Sequence, residues 1–126
     1  MKLSDADAVD FLSGANTVRD GRLVGLTLAS GEIDWDVVLT LTFDVPRGRD
    51  GNHYELSLWG DLNFEYEFSS KRMLSQIEFM KCLWADDATF YLSLDPWKES
   101  ERVPSEKDGS CFRSKSASLM VGGKVR

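Results

Sequence analysis

One histidine, two cysteines and 21 acidic residues are the side chains of this protein that could do chemistry. With His53 alone, neither a histidine-based metal site nor a two-histidine acid–base pair can form within one chain. A cysteine nucleophile would need His53 beside Cys82 or Cys111, and no local signature joins them. The Gly-x-Ser-x-Gly turn that presents a serine nucleophile is also missing. Carboxylates could pair as in a glycosidase, for instance Glu65 with Glu67 on one strand face or Asp86 with Asp87 in one turn. Solvated strand faces and turns are, however, where acids ordinarily sit. Asp86, Asp87 and Asp95 match no calcium-loop spacing, and Gly122-Gly123 lacks the lysine and helix of a phosphate cradle. The expectation is a protein that is not an enzyme and uses no metal or cofactor.

These side chains must be carried by strands. Phe90-Tyr91-Leu92-Ser93-Leu94-Asp95 alternates, placing Tyr91, Ser93 and Asp95 on one face and Phe90, Leu92 and Leu94 on the other. Pro96 then removes a ladder donor and stops the strand. Val37 to Phe43 alternates most regularly, and residues 23–28, with Val24, Leu26 and Leu28 inward, read as its antiparallel neighbour. The polar stretch 46–52 is too short for a crossover helix, so it predicts a wide hairpin into a strand over 54–59. Residues 64–68 alternate aromatic with acid. Residues 71–84 carry both helical spacing (Met73, Ile77, Met80, Trp84) and strand spacing (Ile77, Phe79, Leu83, with Lys81 as the exception). The strand reading over about 76–84 is preferred, because Asp86-Asp87 then turns it directly into the 88–95 strand. A last strand runs over 111–121. Ser4-Asp5-Ala6-Asp7 caps a short helix over about 5–13, ended by Gly14. The predicted fold is mainly β: six to seven antiparallel strands in a sandwich or curved half-barrel with one N-terminal helix.

At 126 residues the chain reads as one domain able to bury roughly two thirds of its unfolded surface. The acidic start, Met1 to Asp7, lacks the apolar run of an export signal, and nothing reaches the roughly 18 apolar residues of a membrane span. A cytoplasmic protein without a membrane partner, its two thiols reduced, is expected. A formal charge of −6 argues against nucleic acid and permits a basic protein partner.

Four tryptophans remain to be placed. Trp59 and Trp84 continue strand alternation and are expected in the core, whereas Trp35 and Trp97 sit at strand ends beside acids and are candidates for a recognition surface. Segment 96–109 has no apolar period, and a loop of that length is either functional or mobile. Within and beside it, Asp95, Glu99, Glu101, Glu106 and Asp108 outnumber Lys98, Arg102 and Lys107.

The run Phe90 to Pro96, followed by this loop and then Ser105-Glu106-Lys107-Asp108, resembles small bacterial proteins, some of which are thought to be immunity proteins that neutralise toxins exchanged between competing bacteria. The resemblance covers about residues 65–112. Such families often open their first strand with His-Asp, where this chain has Arg19-Asp20. It implies a protein-binding module whose partner is a basic toxin domain. Trp97, Asp95, Glu99, Glu101, Glu106 and Asp108 would form the contact surface, with Trp35 as a second edge. The alternative is a β-barrel that binds a small molecule or carbohydrate in a cavity lined by Tyr54, Tyr66 and Trp59.

Overall fold

The computed structural model describes residues 1–31, 36–67 and 76–123. Among them are nine strands and one helix: β1 (Lys2–Ser4), α1 (Ala6–Leu12), β2 (Arg22–Ser30), β3 (Val37–Asp44), β4 (His53–Trp59), β5 (Asn63–Glu65), β6 (Lys81–Ala85), β7 (Thr89–Asp95), β8 (Gly109–Ser114) and β9 (Ser116–Gly122). They form two antiparallel sheets, ordered β1-β9-β4-β3-β2 and β5-β8-β7-β6. The mainly β, antiparallel expectation holds. The strand count exceeds it because the three-residue strand β1 escapes a periodicity test and because the 111–121 run is two strands; the strand expected over 64–68 is the short β5.

That run divides at Lys115, where the chain leaves one sheet for the other. Phe112 faces inward from β8, whereas Ala117, Leu119 and Val121 face inward from β9, so the inward parity flips at the corner. The Lys115 amide donates to the Gly60 carbonyl at 2.7 Å, and Ser114 Oγ to the Ser116 carbonyl at 2.8 Å, satisfying backbone groups that have left the ladder.

The core lies between the sheets. Leu39, Leu41 and Phe43 from β3 meet Phe90 and Leu92 from β7 and Phe112 from β8, all fully buried. Phe64 stacks on Phe112 at 5.8 Å, Tyr66 lies 6.1 Å from the same ring, and α1 buries Ala8, Val9 and Leu12 at one end. Asp5, not Ser4, occupies the helix N-cap, with no side-chain cap bond. Its Oδ1 instead accepts the Ala117 amide at 2.9 Å, tying the helix to β9.

Two expectations about inward faces change. A bulge in β2 between Leu23 and Gly25 shifts the register, so Leu23 is buried and Val24 is not. Leu26 and Leu28 do share the inner face with Leu41 and Leu39. Leu28, at the end of an edge strand, is nonetheless 51% exposed. Trp84 fails similarly: it shares a face with Phe90 but ends edge strand β6 and is exposed. Trp59 has the opposite parity to Tyr54, Leu56 and Leu58 and sits half-buried on the outer face of β4. Across that outer face Ser4, Ser118, Ser57, Thr40 and Thr27 pair in one continuous row.

Residues 76–84 are not helical. Gln76 makes one antiparallel bridge to Arg22, and β6 begins at Lys81, hairpinned to β7 through Asp86-Asp87-Ala88. Residues 71–75 of the ambiguous stretch lie outside the described residues, as does Phe68.

Candidate functional site

The outer face of the four-stranded sheet is not open. Segment 96–108 folds back across it, so β7 is buried on both sides: Phe90 and Leu92 against the core, Tyr91 and Ser93 beneath the loop. Register brings the polar members of this face together. Lys81 pairs with Ser93 and Ser93 with Cys111, while Leu83 pairs with Tyr91 and Tyr91 with Arg113.

Asp108 organises the loop. Its side chain is 0% exposed, as is that of Lys81, whose Nζ donates to Asp108 Oδ2 at 2.8 Å. The same oxygen accepts Tyr91 OH at 2.6 Å and the Ser105 amide at 3.0 Å, and Oδ1 accepts the Trp97 amide at 2.8 Å. Lys81 Nζ also donates to the Val103 carbonyl at 2.9 Å and lies 3.7 Å from Glu101 Oε1. One buried carboxylate therefore holds the beginning, middle and end of the loop against one buried ammonium.

The electrostatics follow from this geometry. Burial works against ionisation of Asp108, but the hydrogen bonds from Lys81, Tyr91 and the Trp97 and Ser105 amides outweigh it and hold its pKa below the usual carboxylate value. Burial, reinforced by the hydrogen bonds with Asp108 and Cys111, pushes the Tyr91 phenol well above its ordinary pKa. Cys111 Sγ lies 3.4 Å from Tyr91 OH and donates to the Asp108 carbonyl at 3.2 Å. Buried Cys82, on the inner face, has its thiol pushed up to about 12 by burial, against a smaller opposing effect of Arg102. His53 projects from the outer face of the other sheet, 3.6 Å from Glu55. Among the described residues no group of three or more His, Cys, Asp or Glu side chains is placed to hold a metal ion.

The residues picked out from the sequence divide three ways. Asp108 and Glu101 converge on Lys81, and Asp108 also holds Trp97 by its amide. Glu99 turns inward elsewhere: Oε2 accepts the Met80 amide at 2.9 Å and Oε1 lies 3.3 Å from Arg19. Trp97 and Glu106 face solvent, Trp97 at 57% exposure with Lys107 Nζ 4.6 Å from its ring centroid. Asp95 is exposed at the end of β7, and Trp35 lies outside the described residues. Three loop acids thus fasten the loop to its own protein, leaving Asp95 and Glu106 beside Lys98, Arg102 and Lys107 as its exposed charges.

Lys81, Tyr91 and Cys111 did not emerge as site residues from the sequence. Lys81 did carry a signal: it is the one residue that breaks the strand-spaced apolar series Ile77, Phe79 and Leu83. A lysine at a position that strand parity assigns to a covered face needs a buried counter-ion. The cavity expected between Tyr54, Tyr66 and Trp59 does not form, because Tyr54 is buried edge-on against Phe11 at 5.6 Å and Trp59 points to the opposite side of β4. The two sheets pack as a sandwich, not as a barrel.

Comparisons with protein-family models, with curated proteins and with solved structures find no match for this chain. No helix among the described residues is long and apolar enough to cross a membrane.

Proposed function

We propose that this protein is a non-enzymatic binding module that recognises another protein through the surface of its 96–108 loop, in the manner of an immunity protein that captures a basic toxin domain in the bacterial cytoplasm. The observation that carries the reading is Trp97: a large aromatic, 57% exposed, on a loop whose own amide is clamped by a buried carboxylate. An aromatic anchor held in place before binding loses little entropy on association, and such residues dominate interface energetics. Val103 is 54% exposed on the same loop, its carbonyl held by Lys81. The formal charge of −6 would speed encounter with a basic partner.

The test is to express any toxin domain that the genes neighbouring this one encode and to measure its capture by titration calorimetry and by protection of cells. Trp97→Ala is expected to weaken capture at least about tenfold with an unchanged melting temperature, the size of effect an interface hot spot produces. Glu99 and Glu101 are poor probes, since reversing either charge would also unfasten the loop. Undiminished capture and protection by Trp97→Ala would remove this surface from consideration.

A further inference from the structure

Strand β2 closes the five-stranded sheet at one edge. The hydrogen bonds that flank its ladder fix which backbone groups face β3. The Gly31 amide donates to the Asp36 carbonyl at 3.0 Å, and the Val45 amide to the Asn52 carbonyl at 2.9 Å. Hydrogen-bonded pairs alternate along antiparallel strands, so Gly25, Thr27 and Ala29 turn their N–H and C=O groups toward Thr42, Thr40 and Val38. Leu26, Leu28 and Ser30 therefore direct theirs away from the sheet. Among the described residues the backbone bridge on this edge is that of Gln76 to Arg22, and from Gly25 to Ser30 the pairing with β3 is regular. Such edges are ordinarily guarded by charge, proline or a covering segment, because an open row of donors and acceptors is a template for another strand. Residues 23–31 hold no charge and no proline. Leu28 is 51% exposed there, on the inner face beside half-buried Leu26.

We propose that this edge pairs antiparallel with β2 of a second copy of the chain, about a two-fold axis at Thr27. The outward backbone groups sit on even-numbered residues, so each must meet an even-numbered residue of the copy. An axis at Leu26 would set Ser30 against Arg22, where Gln76 already sits, and an axis at Leu28 would shorten the paired stretch. With the axis at Thr27, Leu26 meets Leu28 of the copy on the inner face, giving Leu28 an apolar neighbour beyond those of its own sheet. On the outer face Thr27 meets Thr27, and the hydroxyl row from Ser4 to Thr27 runs on across the axis. Like charges directly opposite one another destabilise paired strands, and this strip places none there in a chain of net charge −6. So narrow a strip belongs with weak interfaces, below about 1,200 Å² in all, and a dimer that dissociates on dilution is expected. The 96–108 loop covers the other sheet and takes no part in the pairing, so the inference stands independently of what that loop binds.

The experiment reads mass, register and backbone protection on the full chain. Sedimentation equilibrium of the parent should show the average mass rising toward that of a dimer with concentration. Thr27→Lys, at an exposed position, sets two ammonium groups face to face across the axis; it should remain monomeric with an unchanged melting temperature. Directly opposed residues of a non-hydrogen-bonded pair have Cα atoms about 4.5 Å apart, within disulfide reach, so Thr27→Cys should form a covalent dimer under mild oxidation. Ala29→Cys should form no more than the parent, because the register leaves the two copies of residue 29 about 13–14 Å apart. Amide exchange at Leu26, Leu28 and Ser30 should slow as the parent's concentration rises. Monomer mass at every concentration up to about 1 mM, equal cross-linking at positions 27 and 29, or protection of those three amides that is the same at every concentration would each overturn the proposal. The last result would mean that the edge is filled from within its own chain.

Discussion

Replacing Asp108 with asparagine isolates what the buried clamp contributes. Oδ1, which accepts the Trp97 amide, survives as the asparagine carbonyl. The atom replacing Oδ2 becomes a donor facing three donors: Lys81 Nζ at 2.8 Å, Tyr91 OH at 2.6 Å and the Ser105 amide at 3.0 Å. The main loss is electrostatic, because Lys81 is 0% exposed and its ammonium would keep only the Val103 carbonyl and, at 3.7 Å, Glu101. Removing one partner of a buried ion pair typically destabilises by about 3–5 kcal/mol. Unfolding entropy of about 2.1 cal/mol/K per residue over 126 residues makes 1 kcal/mol equivalent to roughly 4 °C, so the melting temperature should fall by about 11–19 °C. Thermal unfolding followed by circular dichroism, with urea midpoints as a second measure, reads this directly. Lys81→Met should also destabilise, and the double variant should lose less than the sum of the two by about 2 kcal/mol or more. A shift of under about 2 °C for Asp108→Asn, or additivity within about 0.5 kcal/mol, would refute the claim that one buried pair holds the loop.

The same clamp sets a pH dependence. The folded pKa of Asp108 is depressed, so its contribution is present above the unfolded value of 3.8 and is lost as pH falls from there through the folded value; the parent should lose stability below about pH 4 more steeply than Asp108→Asn. Tyr54 OH is buried without a hydrogen-bond partner among the described residues, so Tyr54→Phe should leave urea stability unchanged or raise it by up to about 1 kcal/mol, and a loss above about 1 kcal/mol would reveal a bond there. Burial, with a smaller effect of Asp50, pushes the Tyr54 phenol up to about 12, and a tyrosine absorbance titration should show this group ionising after an ordinary tyrosine and absent from Tyr54→Phe. Ala88 holds φ 56°, a left-handed conformation in the β6–β7 turn, and Ala88→Gly should stabilise by about 0.5–1 kcal/mol in the same urea measurement.

Much of the fold was legible in the residue order. Side chains alternate along a strand, so Val37 to Phe43 and Phe90 to Asp95 announce both their conformation and their two faces. Pro96 ends β7 as its missing amide requires, and residues 46–52 and Asp86-Asp87 turn the chain where hairpins form. Tertiary structure decided what no local pattern encodes. Whether an inward-facing side chain is covered depends on how far the opposite sheet extends, which is why Leu28 and Trp84 face inward yet are exposed. Which acids face solvent was likewise beyond reach of the sequence. Glu99, Glu101, Glu106 and Asp108 are chemically alike along the chain, and only the cross-strand register that sets Lys81 beside Ser93 and Tyr91 beneath the returning loop selects Asp108 as the buried one. Burial raises the energy of an unpaired charge far more than exposure rewards a free one, so the folded chain turns its acids toward the lysine it has buried and leaves Trp97 outside.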